Sequence, residues 1–241
     1  FIISFFYMGL NVSNVLSKVP CDESSQQKWN NCFGYYEYDN GDTFQGVFMN
    51  DFPSNGTYTY PDGDLYNGNF NLNGERHGFG TYKWRDGEKY IGNWKNGIKD
   101  GDGTSYFINN EKFIGKFKNN SFKYGTYYYN DGGKYTGEYQ NDLAHGQGSY
   151  EYPEGDKYIG RFVNDLFHGF GRYVWGPNSK WAGDVFEGEY SYGNRNGKGT
   201  YIYSNGDKET GMWRNDEFLD TRQHNKNIID ENFSFGNDEI L

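Results

Sequence analysis

The chain has 241 residues, with 33 acidic against 23 basic side chains and a formal net charge of −10. Nucleic-acid binders and anionic-lipid binders present basic surfaces, and no Lys/Arg cluster stands in this sequence, so nucleic acid is set aside and strong attraction to anionic lipid is not expected. Aliphatic residues are few, but the 24 tyrosines, 20 phenylalanines, 6 tryptophans and 35 glycines recur on a fixed period, so an ordered chain with an aromatic core is expected rather than a disordered one.

Residues 1–33 stand outside that period. Phe1 to Leu10, FIISFFYMGL, is the most apolar stretch, and it falls short of the ~18 apolar residues that span a bilayer. Three readings apply to it: a cap on the first hairpin, a docking segment for a partner, with Phe5 and Phe6 as its anchors, or the end of a longer membrane segment. No basic leader or small-residue cleavage site points to a signal peptide. Cys21 and Cys32 are the only cysteines. They fit no metal spacing, they either pair or stay free, and a reducing compartment is the default expectation.

The repeat occupies 34–219. Its units open at Gly34, Gly56, Gly80, Gly103, Gly125, Gly148, Gly171 and Gly199. A second glycine follows 12 residues later at Gly46, Gly68, Gly92, Gly115, Gly137, Gly160 and Gly211, and in the seventh unit an insertion displaces it to Gly188. The first half of each unit alternates with period two, as in Tyr58 and Tyr60 or Tyr173 and Trp175, which is a strand with one aromatic face. A turn of the type Asn40-Gly41, Asp62-Gly63 or Asp131-Gly132 follows, with residues that tolerate positive φ. The second half reads aromatic-x-Gly-x-aromatic, as in Tyr66/Phe70, Tyr90/Trp94 and Tyr158/Phe162. Gly68 shares a face with Tyr66 and Phe70, and a ring from the neighbouring strand is expected to lie over the bare backbone there. The eighth unit departs from the pattern, with Glu209 before Trp213, as terminal repeats do.

Tyr135 to Tyr152, YTGEYQNDLAHGQGSYEY, and Tyr158 to Trp175, YIGRFVNDLFHGFGRYVW, resemble the repeat of the MORN (membrane occupation and recognition nexus) family. That resemblance implies an all-β fold: a single-file, elongated solenoid of about eight antiparallel β-hairpins, with 220–241 as a C-terminal tail. No catalytic residue and no cofactor are expected, because no motif for either stands in the sequence.

His77, His145 and His168 each open an H-G-x-G run. Adjacent units are ~10 Å apart along a solenoid of this kind, too far for His145 and His168 to share one zinc. The histidines are therefore expected to be structural, bracing the connections between hairpins through hydrogen bonds. Gly68, Gly92, Gly137 and Gly160 are expected to be structural as well. Turn acids such as Asp42, Asp64 and Asp156 are explained by turn chemistry without calcium. No nucleophile-elbow or phosphate-loop motif is present, and His, Asp and Glu all fall at repeat positions, which leaves no acid–base constellation.

Two irregularities are candidate partner sites. The seventh hairpin carries an inserted turn, 176–183, with Trp181 at its tip, either anchoring a partner or folding back on its own sheet. The tail holds Phe233 and Phe235, which either cap the last strand or reach another chain. The leading functional expectation is a non-enzymatic scaffold that binds other proteins of a multi-subunit assembly in a cytoplasmic, cytoskeletal or ciliary setting, as in axonemal radial-spoke heads. The alternative is a module that contacts lipid and tethers membranes.

Overall fold

The computed structural model describes residues 19–22, 24 and 28–219. Phe5, Phe6, Phe233 and Phe235 lie outside them. The chain divides into two compact units, one ending at Ser121 and the other beginning at Phe122. Every element among the described residues is a strand or a turn.

The first unit holds β1 Cys32–Glu37, β2 Thr43–Met49, β3 Phe52–Thr59, β4 Leu65–Phe70, β5 Arg76–Lys83, β6 Lys89–Lys95, β7 Ile98–Tyr106 and β8 Lys112–Lys118. The second holds β9 Ser121–Tyr128, β10 Lys134–Gln140, β11 Leu143–Glu151, β12 Lys157–Val163, β13 Leu166–Val174, β14 Val185–Ser191, β15 Asn194–Ile202, β16 Lys208–Arg214 and β17 Glu217–Leu219. Within each unit every strand pairs antiparallel with the next one in sequence, so each sheet is open and built from successive hairpins.

Within each unit the two glycines of the repeat face each other across the strand pairs from β1–β2 to β7–β8 and from β9–β10 to β15–β16. In the first unit the partners run Gly34↔Gly46, Gly46↔Gly56, Gly56↔Gly68, Gly68↔Gly80 and onward. In the second they run Gly125↔Gly137, Gly137↔Gly148, Gly148↔Gly160, Gly160↔Gly171 and onward. The result is a track of bare backbone down the middle of each sheet.

The ring over this track comes from a different strand than the sequence suggested. Tyr66 lies along its own strand and reaches across to the paired glycines, and its hydroxyl donates to Asn69 O at 2.9 Å. A Cβ on Gly68 would meet Gly80 Cα and Tyr66 Oη, each at 2.6 Å. Tyr90, Tyr135 and Tyr158 cover Gly92, Gly137 and Gly160 in the same way. The neighbouring-strand expectation holds for opening glycines, as Gly80 in β5 is covered by Tyr66 in β4, and for the last second glycine, Gly211 in β16, which Phe218 of β17 covers. The reason is reach. A tyrosine two residues before a glycine points to the same face, and the space left by two glycines accepts its whole ring.

These rings form the core without a second layer. Phe44, Tyr66, Tyr90, Phe113, Tyr135, Tyr158 and Phe186 are almost fully buried. Each meets the aromatic four residues on edge to face, as Tyr90 meets Trp94 at 5.0 Å and 90° and Tyr158 meets Phe162 at 5.1 Å and 88°. Phe44, Tyr66, Tyr90, Tyr135, Tyr158 and Phe186 also touch the corresponding ring of the next hairpin, as Tyr66 touches Trp94 at 5.6 Å and Tyr135 touches Phe162 at 4.8 Å. Edge-to-face pairs add about 0.5–1.5 kcal/mol each beyond area burial. The opposite face carries polar pairs such as Asn67–Thr57 and Arg172–Glu187, interspersed with exposed apolar side chains such as Phe79 and Phe170.

A second class of turn joins one repeat to the next. Asn141-Asp142 and Asn164-Asp165 both have positive φ at both residues, the backbone that a tight two-residue hairpin requires. Past these turns two extra residues are accommodated, Gly146-Gln147 or Gly169-Phe170, and the register shifts beside Gly137 and Gly160. The first glycine of H-G-x-G, Gly146 or Gly169, lies there with φ of 66° or 62°. It is a bulge residue in left-handed conformation, whereas the second glycine belongs to the track.

Candidate functional site

The polar groups that a sequence reading would test for chemistry are engaged in holding hairpin to hairpin. At one edge of each sheet, the tyrosine two residues past an opening glycine donates to an aspartate of the preceding hairpin. Tyr58 reaches Asp42 Oδ2 at 2.6 Å, Tyr82 reaches Asp64 at 2.6 Å, Tyr173 reaches Asp156 at 2.8 Å and Tyr201 reaches Asp184 at 2.6 Å. The second carboxylate oxygen of Asp64, Asp156 and Asp184 accepts a backbone N–H, from Arg85, Gly176 and Ser204. Burial pushes the phenols of Tyr58, Tyr82, Tyr173 and Tyr201 up, and the aspartate partner raises them further. The Tyr201 hydroxyl in turn holds the Asp184 carboxyl below its ordinary range.

At the other edge, the second residue of a two-residue turn, where it is Asp or Asn, clasps the segment before it. Asp165 Oδ1 accepts the Ala144 N–H at 2.6 Å while its own N–H donates to Ala144 O at 3.0 Å. Asp216 does the same to Arg195, and Asp51 to Trp29. Asn120 replaces the acid opposite Lys99 and keeps both bonds.

The histidines differ from one another. His77 Nδ1 accepts the Asn96 N–H at 3.4 Å, a long bond between consecutive hairpins. The buried Nδ1 atoms of His145 and His168 have no hydrogen-bond partner in the structure, so no bracing bond runs through that atom. His168 instead packs edge-on against Tyr192 at 5.3 Å. Among the described residues no group of three or more His, Cys, Asp or Glu is arranged to hold a metal.

Cys21 and Cys32 form a disulfide, a departure from the free thiols of a reducing compartment. The bridge ties the segment before the repeat onto β1, where Cys21 Sγ lies 3.1 Å from where a Cβ on Gly34 would stand and Trp29 meets Phe48 edge-on at 4.9 Å.

What remains open to a partner is aromatic. In the first unit the rings of Tyr36, Tyr38, Tyr58, Tyr60, Tyr82 and Trp84 follow one another at centroid spacings of 4.8, 5.7, 4.9, 5.8 and 4.6 Å. The second unit repeats the file from Tyr127 to Tyr203. Most of these rings are half-buried, and Tyr36 is 48% exposed. Trp181 is 52% exposed on the inserted turn, which is closed by Gly183 N–H to Trp175 O at 3.0 Å, and its indole only brushes Trp175 at 6.5 Å.

Two cavities interrupt the aromatic face at equivalent repeat positions. One of about 430 Å³ lies among Trp29, Tyr36, Tyr38, Phe48, Asp51 and Phe52. The other, of about 330 Å³, lies among Tyr150, Tyr152, Phe162, Asp165 and Phe167. The sequence signal for both was the periodic Tyr-x-Tyr followed by Asn-Asp; nothing in it told which repeats would stay open.

The MORN repeat family model matches at 44–65, 66–89, 90–112, 135–157, 158–180 and 186–208, together more than half of the chain. The chain belongs to the MORN-repeat family. The structure adds hairpins with the same glycine register at 34–46 and 125–137 to these six MORN repeats. No curated protein matches it in sequence. Among solved structures, the TCP domain of SAS-4 (dCPAP) from Drosophila melanogaster, in complex with a proline-rich motif of Ana2 (dSTIL), is similar with a TM-score of 0.42 at 12% identity, covering 83% of this chain and 99% of that one. Virginiamycin B lyase from Staphylococcus aureus has a TM-score of 0.17 at 7% identity, covering 76% and 84%. Neither likeness bears on function at these scores.

Proposed function

We propose that the protein is a non-enzymatic scaffold whose aromatic face and inserted Trp181 turn hold other proteins of a larger assembly. The observation that carries this reading is the allocation of polar groups. The turn aspartates and the tyrosines facing them bind hairpin to hairpin, while runs of partly exposed rings line one face of the sheet. Rigid aromatic surface binds protein at low entropic cost, and repeat sheets present it over many units.

A cytoplasmic, cytoskeletal or ciliary assembly is the setting we propose, by analogy with MORN proteins of radial spokes and of the cell cortex. The Cys21–Cys32 disulfide pulls the other way, because disulfides persist in oxidising compartments; mass spectrometry of the alkylated native protein, run without reductant, decides between the two. Affinity purification with cross-linking tests the scaffold itself: recovery of stoichiometric protein partners supports it. Tight, salt-sensitive co-sedimentation with anionic vesicles would favour a membrane tether instead, against the net charge of −10.

A further inference from the structure

At the place four residues before an opening glycine the MORN sheet lays cations on its aromatic face at Arg76, Lys99 and Arg195, and a phenyl ring at Phe167, where the facing turn residue is Gly193 and carries no carboxylate. Arg76 stands four residues before an opening glycine, and its guanidinium carbon lies 4.8 Å from the Tyr82 ring and 4.5 Å from the Trp94 ring. Its Nη2 donates to the carbonyl of the turn residue Gly97 at 2.8 Å. Arg195 holds the equivalent place four residues before Gly199. Its guanidinium carbon is 4.4 Å from the Trp213 ring, and its Nε is 3.0 Å from the turn carboxylate of Asp216. Lys99 repeats the theme, 4.8 Å from Trp84 and 4.9 Å from Tyr90.

The hairpin that opens at Gly148 has Ala144 in that position, too short to reach out. The platform is nevertheless complete. Tyr150 and Phe162 are the counterparts of Tyr82 and Trp94, and Asp165 is the counterpart of Asp216. Phe167, stacked on Tyr158 at 3.7 Å, closes one wall. Between them lies the cavity of about 330 Å³.

We infer that this cavity, bounded by Tyr150, Tyr152, Phe162 and Asp165, receives the cationic head of an arginine or lysine side chain carried on an extended segment of a partner protein. The inference rests on the scaffold reading and specifies its partner chemistry. Aromatic faces carry negative charge density that attracts a cation. The Asp165 carboxylate, with one oxygen on the Ala144 N–H, keeps further acceptor capacity. An apolar side chain entering instead would desolvate that carboxylate with nothing in return. The net charge of −10 favours encounter with basic segments.

The test is a titration of the full chain with a nine-residue Gly-Ser peptide bearing one central arginine, beside a norleucine counterpart, read on the side-chain resonances of Tyr150, Tyr152 and Phe162. The arginine peptide is expected to give saturable shifts and the norleucine peptide none. Asp165→Asn keeps the acceptor for the Ala144 N–H, as Asn120 does for Lys99, and is expected to weaken binding about fivefold through loss of charge alone. Ala144→Arg is expected to abolish it, by filling the platform from within as Arg195 does. Equal shifts from norleucine, no shift from arginine, or unchanged binding by Asp165→Asn would each overturn the assignment. If the arginine peptide binds nowhere while protein partners still cross-link to the same chain, the pocket assignment falls and the scaffold reading stands. If no partner cross-links, the scaffold reading falls on its own.

Discussion

The Tyr201 hydroxyl donates to Asp184 Oδ2 at 2.6 Å, joining hairpins through residues 17 apart, and the other Asp184 oxygen accepts the Ser204 N–H at 2.8 Å. One buried carboxylate thus ties a side chain and a backbone amide of the following hairpin. Asp184→Ala strands both donors and is expected to lower stability by about 2–3 kcal/mol. Tyr201→Phe, which leaves the backbone bond in place, is expected to cost about 1–2 kcal/mol. Urea unfolding with an unchanged m-value is the measurement; equal, negligible losses would mean the staple contributes nothing.

The glycine track makes a sharper distinction between positions. A Cβ on Gly137 would come within 2.7 Å of Gly148 Cα and Gln147 O, both backbone. Gly137→Val is therefore expected to destabilise by about 2–4 kcal/mol through overpacking. Gly87 lies in a turn at φ 103° with nothing near its missing Cβ. Gly87→Ala is expected to cost about 1–2 kcal/mol, from backbone strain alone. Thermal melts of the two variants should rank in that order.

Burial raises the phenols of Tyr66, Tyr90, Tyr135, Tyr139, Tyr158 and Tyr190, and pushes Tyr152 up to about 12. An unfolded tyrosine ionises near pH 10. Each raised group therefore contributes stability that is fully present below about pH 10 and is lost as pH climbs toward its folded value. The loss is about 1.4 kcal/mol per pH unit per group. With many groups acting together, unfolding above pH 10 should be steep. Tyrosinate absorbance and circular dichroism should change in one transition; ionisation of these rings in a chain that stays folded would contradict the burial.

Trp181 offers the opposite case. It is half-exposed and touches its own sheet only at Trp175. Trp181→Ala is expected to change stability by less than about 0.5 kcal/mol while weakening partner capture. A large drop in melting temperature would make the indole a structural flap instead.

The Cys21–Cys32 bridge closes a loop with a sequence separation of 11. Chain entropy assigns such a loop about 3 kcal/mol. Cys21→Ser, or addition of reductant, should loosen the first hairpin, seen as faster amide exchange at Gly34 to Glu37. Unchanged protection there would show that Trp29 and Phe48 hold the segment without the bridge.

Most of the fold was legible because two glycines per repeat can be read directly. Their spacing marks the hairpins, and in the structure the two glycines of each hairpin are partners, from Gly34↔Gly46 to Gly199↔Gly211. Less legible were interactions that reach across hairpins. Asp184 and Tyr201 are far apart in sequence, and nothing local says that a turn acid will accept a phenol from the next unit. The source of the ring over Gly68 was misread because alternation gives the face of Tyr66 but not the direction in which its ring lies. The Asn-Asp turns were visible as a motif, yet their role emerged only from the positive φ at both residues. The open platform at Tyr150 depends on Ala144, a residue whose smallness matters only once Arg76 and Arg195 are seen on the equivalent rings.

The scaffold reading is tested most directly by cross-linking mass spectrometry on the protein at native abundance, mapping each inter-protein link onto the chain. The account predicts links to other proteins clustered around the inserted turn at Lys180 and along the aromatic face, all reduced by Trp181→Ala in a protein that melts normally. Recovery of the chain with intramolecular links alone, or with links spread evenly over the opposite face, would contradict it.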